Sequence, residues 1–244
     1  MYNIFLCLFM LILLLDLRSN IYGKMFDLDS IKYSTLFKNI SDTDFYTLCS
    51  ELTPVIRAYA ANETIQIQGE VVEKIGIIMD GKVMSIKYHY DGTSQILQNF
   101  RKNDIIGLEA VSSTFFTSLG MLITETDCII VYFKYSDIFS CKNLPEQCKI
   151  TILQNMNNIL SDENIKFMYK IDVLSKRTIR ERITTYLSFM SEKRNSKTVD
   201  IGMNQEQFAQ YLCTNRSALS KELNSMRREG LISFNKSVYT IYNL

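Results

Sequence analysis

Three shortages narrow what this 244-residue sequence can do: it holds one histidine, no closely spaced cysteine pair, and no apolar run of membrane-spanning length. His89 has no partner for triad or metal chemistry, so a hydrolytic or metal-dependent enzyme is not expected. Cys7, Cys49, Cys128, Cys141, Cys148 and Cys213 include no Cys-x-x-Cys pair, which argues against a zinc site and a disulfide framework and for reduced cytoplasmic thiols. No cofactor is expected. The longest apolar run, Ile4 to Leu15, has 12 residues, short of the roughly 20 that span a bilayer. No Lys or Arg precedes it as a secretion signal requires; Arg18 and Lys24 lie beyond it. The expectation is that Met25 is the true start and that residues 1–24 are a mis-called extension, with a weak membrane tether as the open alternative.

What is present reads as a globular chain of two domains, 47% hydrophobic and 22% charged. The net charge of +1 hides an asymmetry. From Lys170 to Leu244 there are 13 Lys/Arg against 7 Asp/Glu, and before Lys170 there are 14 against 19. An excess of cations in one part is what phosphate neutralisation requires.

The basic part contains the stretch that organises the chain, Met203 to Ser233. Phe208, Ala209 and Leu212 form one face of a first short helix, and Leu219, Leu223 and Met226 one face of a second that begins at Thr214-Asn215-Arg216-Ser217 and stops before Gly230. With those leucines committed to a core, Arg216, Ser217, Ser220, Lys221 and Asn224 fall on the outward face, and Arg227 and Arg228 one turn further on. Such a face suits the floor of a DNA major groove. The alternative is a helical hairpin with a solvated charged face. The following Gly230 to Phe234, the turn Asn235-Lys236-Ser237 and the alternating Val238 to Tyr242 favour a winged helix-turn-helix.

Taken in order, Phe26 to Arg57 has a helical period, with Ser41 as an N-cap. The period then changes to two. Thr64 to Gln68, Ile75 to Met79, Val83 to Tyr90, Ser94 to Phe100 and Cys128 to Phe133, punctuated by Gly69, Asp80-Gly81, Asp91-Gly92 and Asn103-Asp104, predict an antiparallel barrel or roll. From about Leu144 the helical period returns with a heptad seam: Ile150, Leu153, Asn157, Leu160, Asn164, Phe167, Ile171 and Leu174. That spacing predicts a two-stranded dimer, against the alternative of one amphipathic core helix in a monomer. Ile152, Met156 and Ile159 form a second stripe facing the helix's own roll. Ser175 to Glu192 reads as another helix, and residues 192–197 as a polar loop.

In this order the chain resembles the Crp/Fnr family of bacterial transcription regulators over everything after Met25. The resemblance rests on Gln68-Gly69-Glu70, Asp80-Gly81-Lys82, Asn103-Asp104-Ile105-Ile106-Gly107, the seam helix, and Thr214-Asn215-Arg216-Ser217-Ala218-Leu219-Ser220. It implies an α+β fold: a double-stranded, jelly-roll-like β-roll of the cyclic-nucleotide-binding type over 25–143, a dimerisation helix and hinge over 144–174, and a winged helix-turn-helix over 175–244. It also implies a cytoplasmic homodimer on pseudo-palindromic double-stranded DNA, with RNA polymerase and a small-molecule effector as further partners. The implied DNA-binding residues are Thr214, Asn215, Arg216, Ser217, Ser220, Lys221, Asn224 and Arg227.

The effector pocket falls at Gly107, Leu108, Glu109, Ser118 and Leu119, and there the chain departs from members that bind cyclic AMP. Leu108 stands where they carry an acid for the ribose, Ser118-Leu119 where they carry Arg-Ser for the phosphate, and Glu109 is one residue out of register. No Lys or Arg occurs between Lys102 and Lys134. Without a cation a buried phosphate loses charge-assisted hydrogen bonds worth roughly 1.5 to 3 kcal/mol each, so cyclic AMP is not the expected ligand. Cys7 and Cys49 do not make the cluster of the iron-sulfur branch, and His89 beside Asp91-Gly92 reads as a turn residue, not a haem ligand. The run Ser112 to Ser118 either binds a small non-phosphate effector or simply packs. Cys213 takes a turn position where glycine is usual, at a cost of about 1 kcal/mol if its φ is positive, and Ser217 stands where some members read cytosine with glutamate.

Overall fold

The computed structural model describes residues 29–242; the apolar leader 1–24, Met25 and Cys7 fall outside them. The chain divides into two compact units. One contains residues up to 86 together with 98–160, the other 87–97 together with 161 onward.

The first unit is built on two four-stranded sheets of order β1-β8-β3-β6 and β2-β7-β4-β5. Their strands are β1 Val55–Tyr59, β2 Thr64–Gln66, β3 Lys74–Asp80, β4 Val83–Tyr88, β5 Ser94–Phe100, β6 Ile105–Ile106, β7 Met121–Thr124 and β8 Cys128–Lys134. Strands β3 and β8 lie inside their sheet and are covered on both faces, which is why they read as continuous apolar runs. Ile75, Ile77, Val131 and Phe133 face a core shared with Phe45 and Leu48. Their alternates Ile78 and Ile130 face Val83, Phe100 and Leu122 inside the roll.

The single helical period expected from Phe26 to Arg57 is corrected. Short α1 Asp29–Lys32 and a 3₁₀ turn Thr35–Phe37 precede α2 Asp42–Leu52, and Arg57 lies in strand β1. Thr53 adopts a left-handed conformation with φ +43°, Pro54 cannot continue a helix, and Val55 to Tyr59 pairs antiparallel with Tyr132 to Cys128. Ser41 does cap α2, its side chain accepting from the Asp44 amide at 3.1 Å.

After α3 Leu108–Val111 and α4 Tyr135–Ser140, the 30-residue helix α5 runs from Glu146 to Ser175. Ile152 and Met156 are buried in the first unit's core, with Ile159 packed beside them, as the second stripe predicted. Asn155 is also buried, donating to the carbonyls of Leu36 at 2.9 Å and Lys38 at 2.8 Å, so the 3₁₀ turn is capped from α5.

In the second unit, α6 Ile179–Arg194 starts later than Ser175, because Thr178 and Glu181 close a reciprocal capping box there. It also ends later, at Arg194, and strand β9 Thr198–Asp200 follows the shortened loop. Helices α7 Gln205–Tyr211 and α8 Arg216–Arg228 lead into β10 Ile232–Asn235 and β11 Val238–Ile241, which complete a three-stranded sheet of order β10-β11-β9. Ile183, Leu187, Phe208, Leu212, Leu219, Leu223, Met226 and Tyr239 form its core. The fold is α+β: a double-stranded roll, a long helix and a C-terminal winged helix-turn-helix.

Candidate nucleic-acid interface

Each of the two helices of the motif is capped at its N-terminus. Asn204 and Gln207 form a reciprocal box at the start of α7. Asn215 caps α8, its Oδ1 accepting from the Ala218 amide at 2.7 Å. Between them Cys213 is left-handed at φ +52°, the conformation that favours glycine at this position. The Thr214 amide donates to the Ala209 carbonyl at 3.0 Å and closes the turn.

With Leu219, Leu223 and Met226 fully buried, α8 turns Arg216, Ser217 and Lys221 outward as exposed side chains, while Thr214, Ser220 and Asn224 are half-buried. Arg216 and Lys221 make no hydrogen bond or ion pair among the described residues. The others are partly occupied. The Ser217 hydroxyl donates to Asn215 Oδ1 at 2.7 Å, reinforcing the cap. Asn224 donates to the Ser220 carbonyl at 2.9 Å and accepts from Arg227 Nη2 at 2.7 Å. The Arg227 guanidinium lies 4.9 Å from the centre of the Phe234 ring in β10, so it is held between helix and wing. At the wing tip Lys236 opens a two-residue turn with φ +52° between the paired Asn235 and Val238.

Two residues of α6 that the sequence reading did not single out hold this motif together. Arg180 donates to Glu222 at 2.5 Å and grips both oxygens of Glu229 at 2.7 Å, which ties α6 to both the middle and the end of α8. Its hydrogen bonds are the main reason the Glu229 carboxyl sits below the usual carboxylate range. Arg182 donates to the carbonyls of Lys176 at 3.1 Å and Leu212 at 2.9 Å, joining the start of α6 to the turn itself. Their only signal in sequence is two arginines on one helix, and apart from Lys176 the partners named lie 30 or more residues away. Arg182→Ala should lose the roughly 1.5 to 3 kcal/mol carried by hydrogen bonds to a charged group, read as a lower denaturant midpoint. Arg182→Lys should recover only part, because an ammonium lacks the planar fork that serves two carbonyls at once.

The five residues expected at the effector pocket differ widely in exposure. Leu108 is buried in the core and Leu119 is 73% exposed, while Glu109 is exposed on the short helix α3. Gly107, at φ +82°, has backbone so close to β3 that an added Cβ would stand 2.9 Å from the Lys74 carbonyl oxygen. Ser118 is already engaged: its amide donates to the Glu70 carbonyl at 3.0 Å, its carbonyl accepts from Gly69 at 2.8 Å, and its hydroxyl donates to Gly120 at 2.5 Å. A cavity of about 290 Å³ is lined by Arg57, Tyr59, Ile65, Glu70, Lys74 and Tyr132 among others, and Gly107 and Ser118 lie against the backbone of its Lys74 and Glu70. There the two tyrosine hydroxyls are 3.0 Å apart. His89, as expected, flanks a turn, its amide donating to the Thr93 carbonyl at 2.9 Å.

Residues 56–142 match the family model described as a cyclic nucleotide-binding domain, and residues 181–244 that of a Crp-like helix-turn-helix domain. The chain belongs to the Crp/Fnr family. A member of this family is a transcription regulator and not an enzyme. Solved Crp/Fnr-type structures share the fold at low identity. The c-di-GMP responsive global regulator CLP of Xanthomonas campestris is 15% identical, with a TM-score of 0.66 over 84% of this chain and 100% of that one. A CooA mutant from Carboxydothermus hydrogenoformans is 16% identical, with 0.65 over 89% and 92%. FixK2 from Bradyrhizobium japonicum is 17% identical, with 0.61 over 78% and 93%. No curated protein matches the chain in sequence.

Proposed function

We propose that this Crp/Fnr-family regulator acts as a cytoplasmic homodimer, binds pseudo-palindromic double-stranded DNA through α8, contacts RNA polymerase, and responds to a small effector other than cyclic AMP. The observation that carries the reading is the capped helix α8, with Arg216 and Lys221 exposed and uncommitted on the face opposite its core leucines. In this reading residues 25–143 are the sensor, 144–174 the dimerisation helix and hinge, and 175–244 the DNA-binding domain. The decisive experiment is genome-wide mapping of the sites the protein occupies in its own cell. A two-fold symmetric consensus is the expected result, and occupancy without any shared sequence would sink the proposal.

A module acting through protein contacts alone would show no salt-dependent DNA binding, so a titration at two salt concentrations separates that reading. The tethered alternative rests on residues 1–24, outside the described residues, and intact-mass measurement of native protein tests it. Among the described residues no helix is long and apolar enough to cross a membrane.

The effector side carries its own prediction. Residues 103–133 contain no Lys or Arg, and the Ser118 groups at the expected phosphate position are hydrogen-bonded within the protein. Cyclic AMP should therefore leave both the melting temperature and the DNA affinity unchanged; a saturable upward shift would show that the segment after Gly107 does take a phosphate. CLP is described as c-di-GMP responsive, and residues 103–133 hold no cation for the phosphates of that ligand either.

A further inference from the structure

Lys170 is the only charged side chain buried among the described residues, at 6% exposure. No carboxylate pairs with it. Its ammonium donates instead to the backbone carbonyl of Ile96 and, at 3.3 Å, to that of Leu97, and it lies 4.3 Å from the centre of the Tyr211 ring. Burial pushes its pKa down to about 8. An ammonium taken out of water without an anion carries a desolvation penalty that a methionine of similar length would not. Stability alone does not account for a lysine here.

Its contacts join three stretches far apart in sequence. Residues 87–97, the end of the β4–β5 hairpin, belong to the same compact unit as residues 161 onward, although both strands continue into the sheet of the roll. Ile96 is fully buried. Tyr211 is the last residue of α7, directly before the Leu212-Cys213-Thr214 turn that aims α8, and its ring packs 5.1 Å from Tyr186 of α6. The lysine therefore holds the hairpin at one side of its ammonium and the end of α7 at the other.

We propose that Lys170 is a positioning residue for DNA binding: it clips the β4–β5 hairpin to the end of α7, and that clip sets the placement of the helix-turn-helix. The two carbonyls and the aromatic face supply what a missing carboxylate would, but only while the hairpin stays in place.

The proposal rests on the reading of the chain as a DNA-binding regulator, and its test separates the two. Wild type, Lys170→Met and Lys170→Arg are compared by amide hydrogen exchange over residues 87–97 and by titration against the mapped operator. Lys170→Met keeps a side chain of similar length without its charge, and should raise exchange in the hairpin and weaken operator binding, each by about tenfold. Lys170→Arg should restore most of both, since a guanidinium can donate to two carbonyls and stack on a tyrosine. If the methionine variant fails to fold, Tyr211→Leu, which removes the aromatic face under the ammonium along with the ring contact to Tyr186, should loosen the same hairpin amides. Unchanged exchange, or faster exchange with wild-type operator affinity, overturns the proposal. If wild type itself binds no operator, the regulator reading fails, and unchanged hairpin exchange would overturn the clip independently.

Discussion

The double variant Phe167→Glu, Ile171→Glu should sediment as a monomer and bind a two-half-site operator about 10² to 10⁴ times more weakly than wild type, the factor by which linking two sites raises avidity. Within the second unit, residues 161–169 form nearly two and a half turns of α5 in which no side chain is buried. Phe167 is 40% and Ile171 68% exposed, and Ile165 and Met168 are exposed beside them. A helix is marginal in water on its own amide bonds, so so much apolar surface along one calls for a partner. The heptad spacing is why the partner proposed is a second copy of the same helix. Glutamates facing each other across that seam would repel and be desolvated.

Phe167 and Ile171 are better probes than Leu160, which packs partly against the core of its own protomer, so that its loss would destabilise the fold as well. A wild-type protein that is monomeric at micromolar concentration, or a double variant that stays dimeric, would show that the seam faces solvent.

Arg216→Ala should cost roughly 1 to 3 kcal/mol per half-site on the native operator and flatten the preference at one base pair in each half. The structure supplies the geometry for this. Asn215 and Ser217 together complete the cap of α8, so the helix start is rigid, and Arg216 leaves its first position exposed and without a partner. A guanidinium presented there can donate two hydrogen bonds to O6 and N7 of a guanine, which neither lysine nor alanine reproduces. Arg227 is a different case. Stacked near Phe234 and tied to Asn224, it is held on the flank between helix and wing and suits a phosphate. Arg227→Ala should weaken all sequences alike and reduce the salt slope by about one. Titrations of both variants against the operator and its single-base changes, at two salt concentrations, separate these roles; an Arg216→Ala protein with wild-type preference at every position would exclude α8 as the reader.

Ser217 shows a limit of reading a helix face from periodicity alone. Spacing put it among the outward polar residues, where it is, but its hydroxyl proton is already donated to the cap, which leaves only its acceptor lone pairs for a base. The same periodicity could not find Arg180 or Arg182, because nothing local marks which arginine will meet a carboxylate or a carbonyl many residues away. Strands of two to five residues, such as β1, β6, β7 and β9, were also missed. Strand β1 forms because Tyr132 to Cys128 is there to pair with it.

By itself, then, the sequence determined the features that depend on neighbours within a turn or two along the chain. These are the change of period from helix to strand and back, the cap at Ser41, the apolar faces of α5, α7 and α8, and the order of motifs that marks a Crp/Fnr regulator. Only the tertiary structure decided which polar groups are free. It buried Leu108 and exposed Leu119 in the stretch expected to form one pocket, and it engaged Ser118 with Gly69, Glu70 and Gly120. It also enclosed Lys170 between hairpin carbonyls and an aromatic ring. The reason is that periodicity records which side of an element is apolar, whereas the partner of a polar atom is set by segments that meet only after the chain has folded.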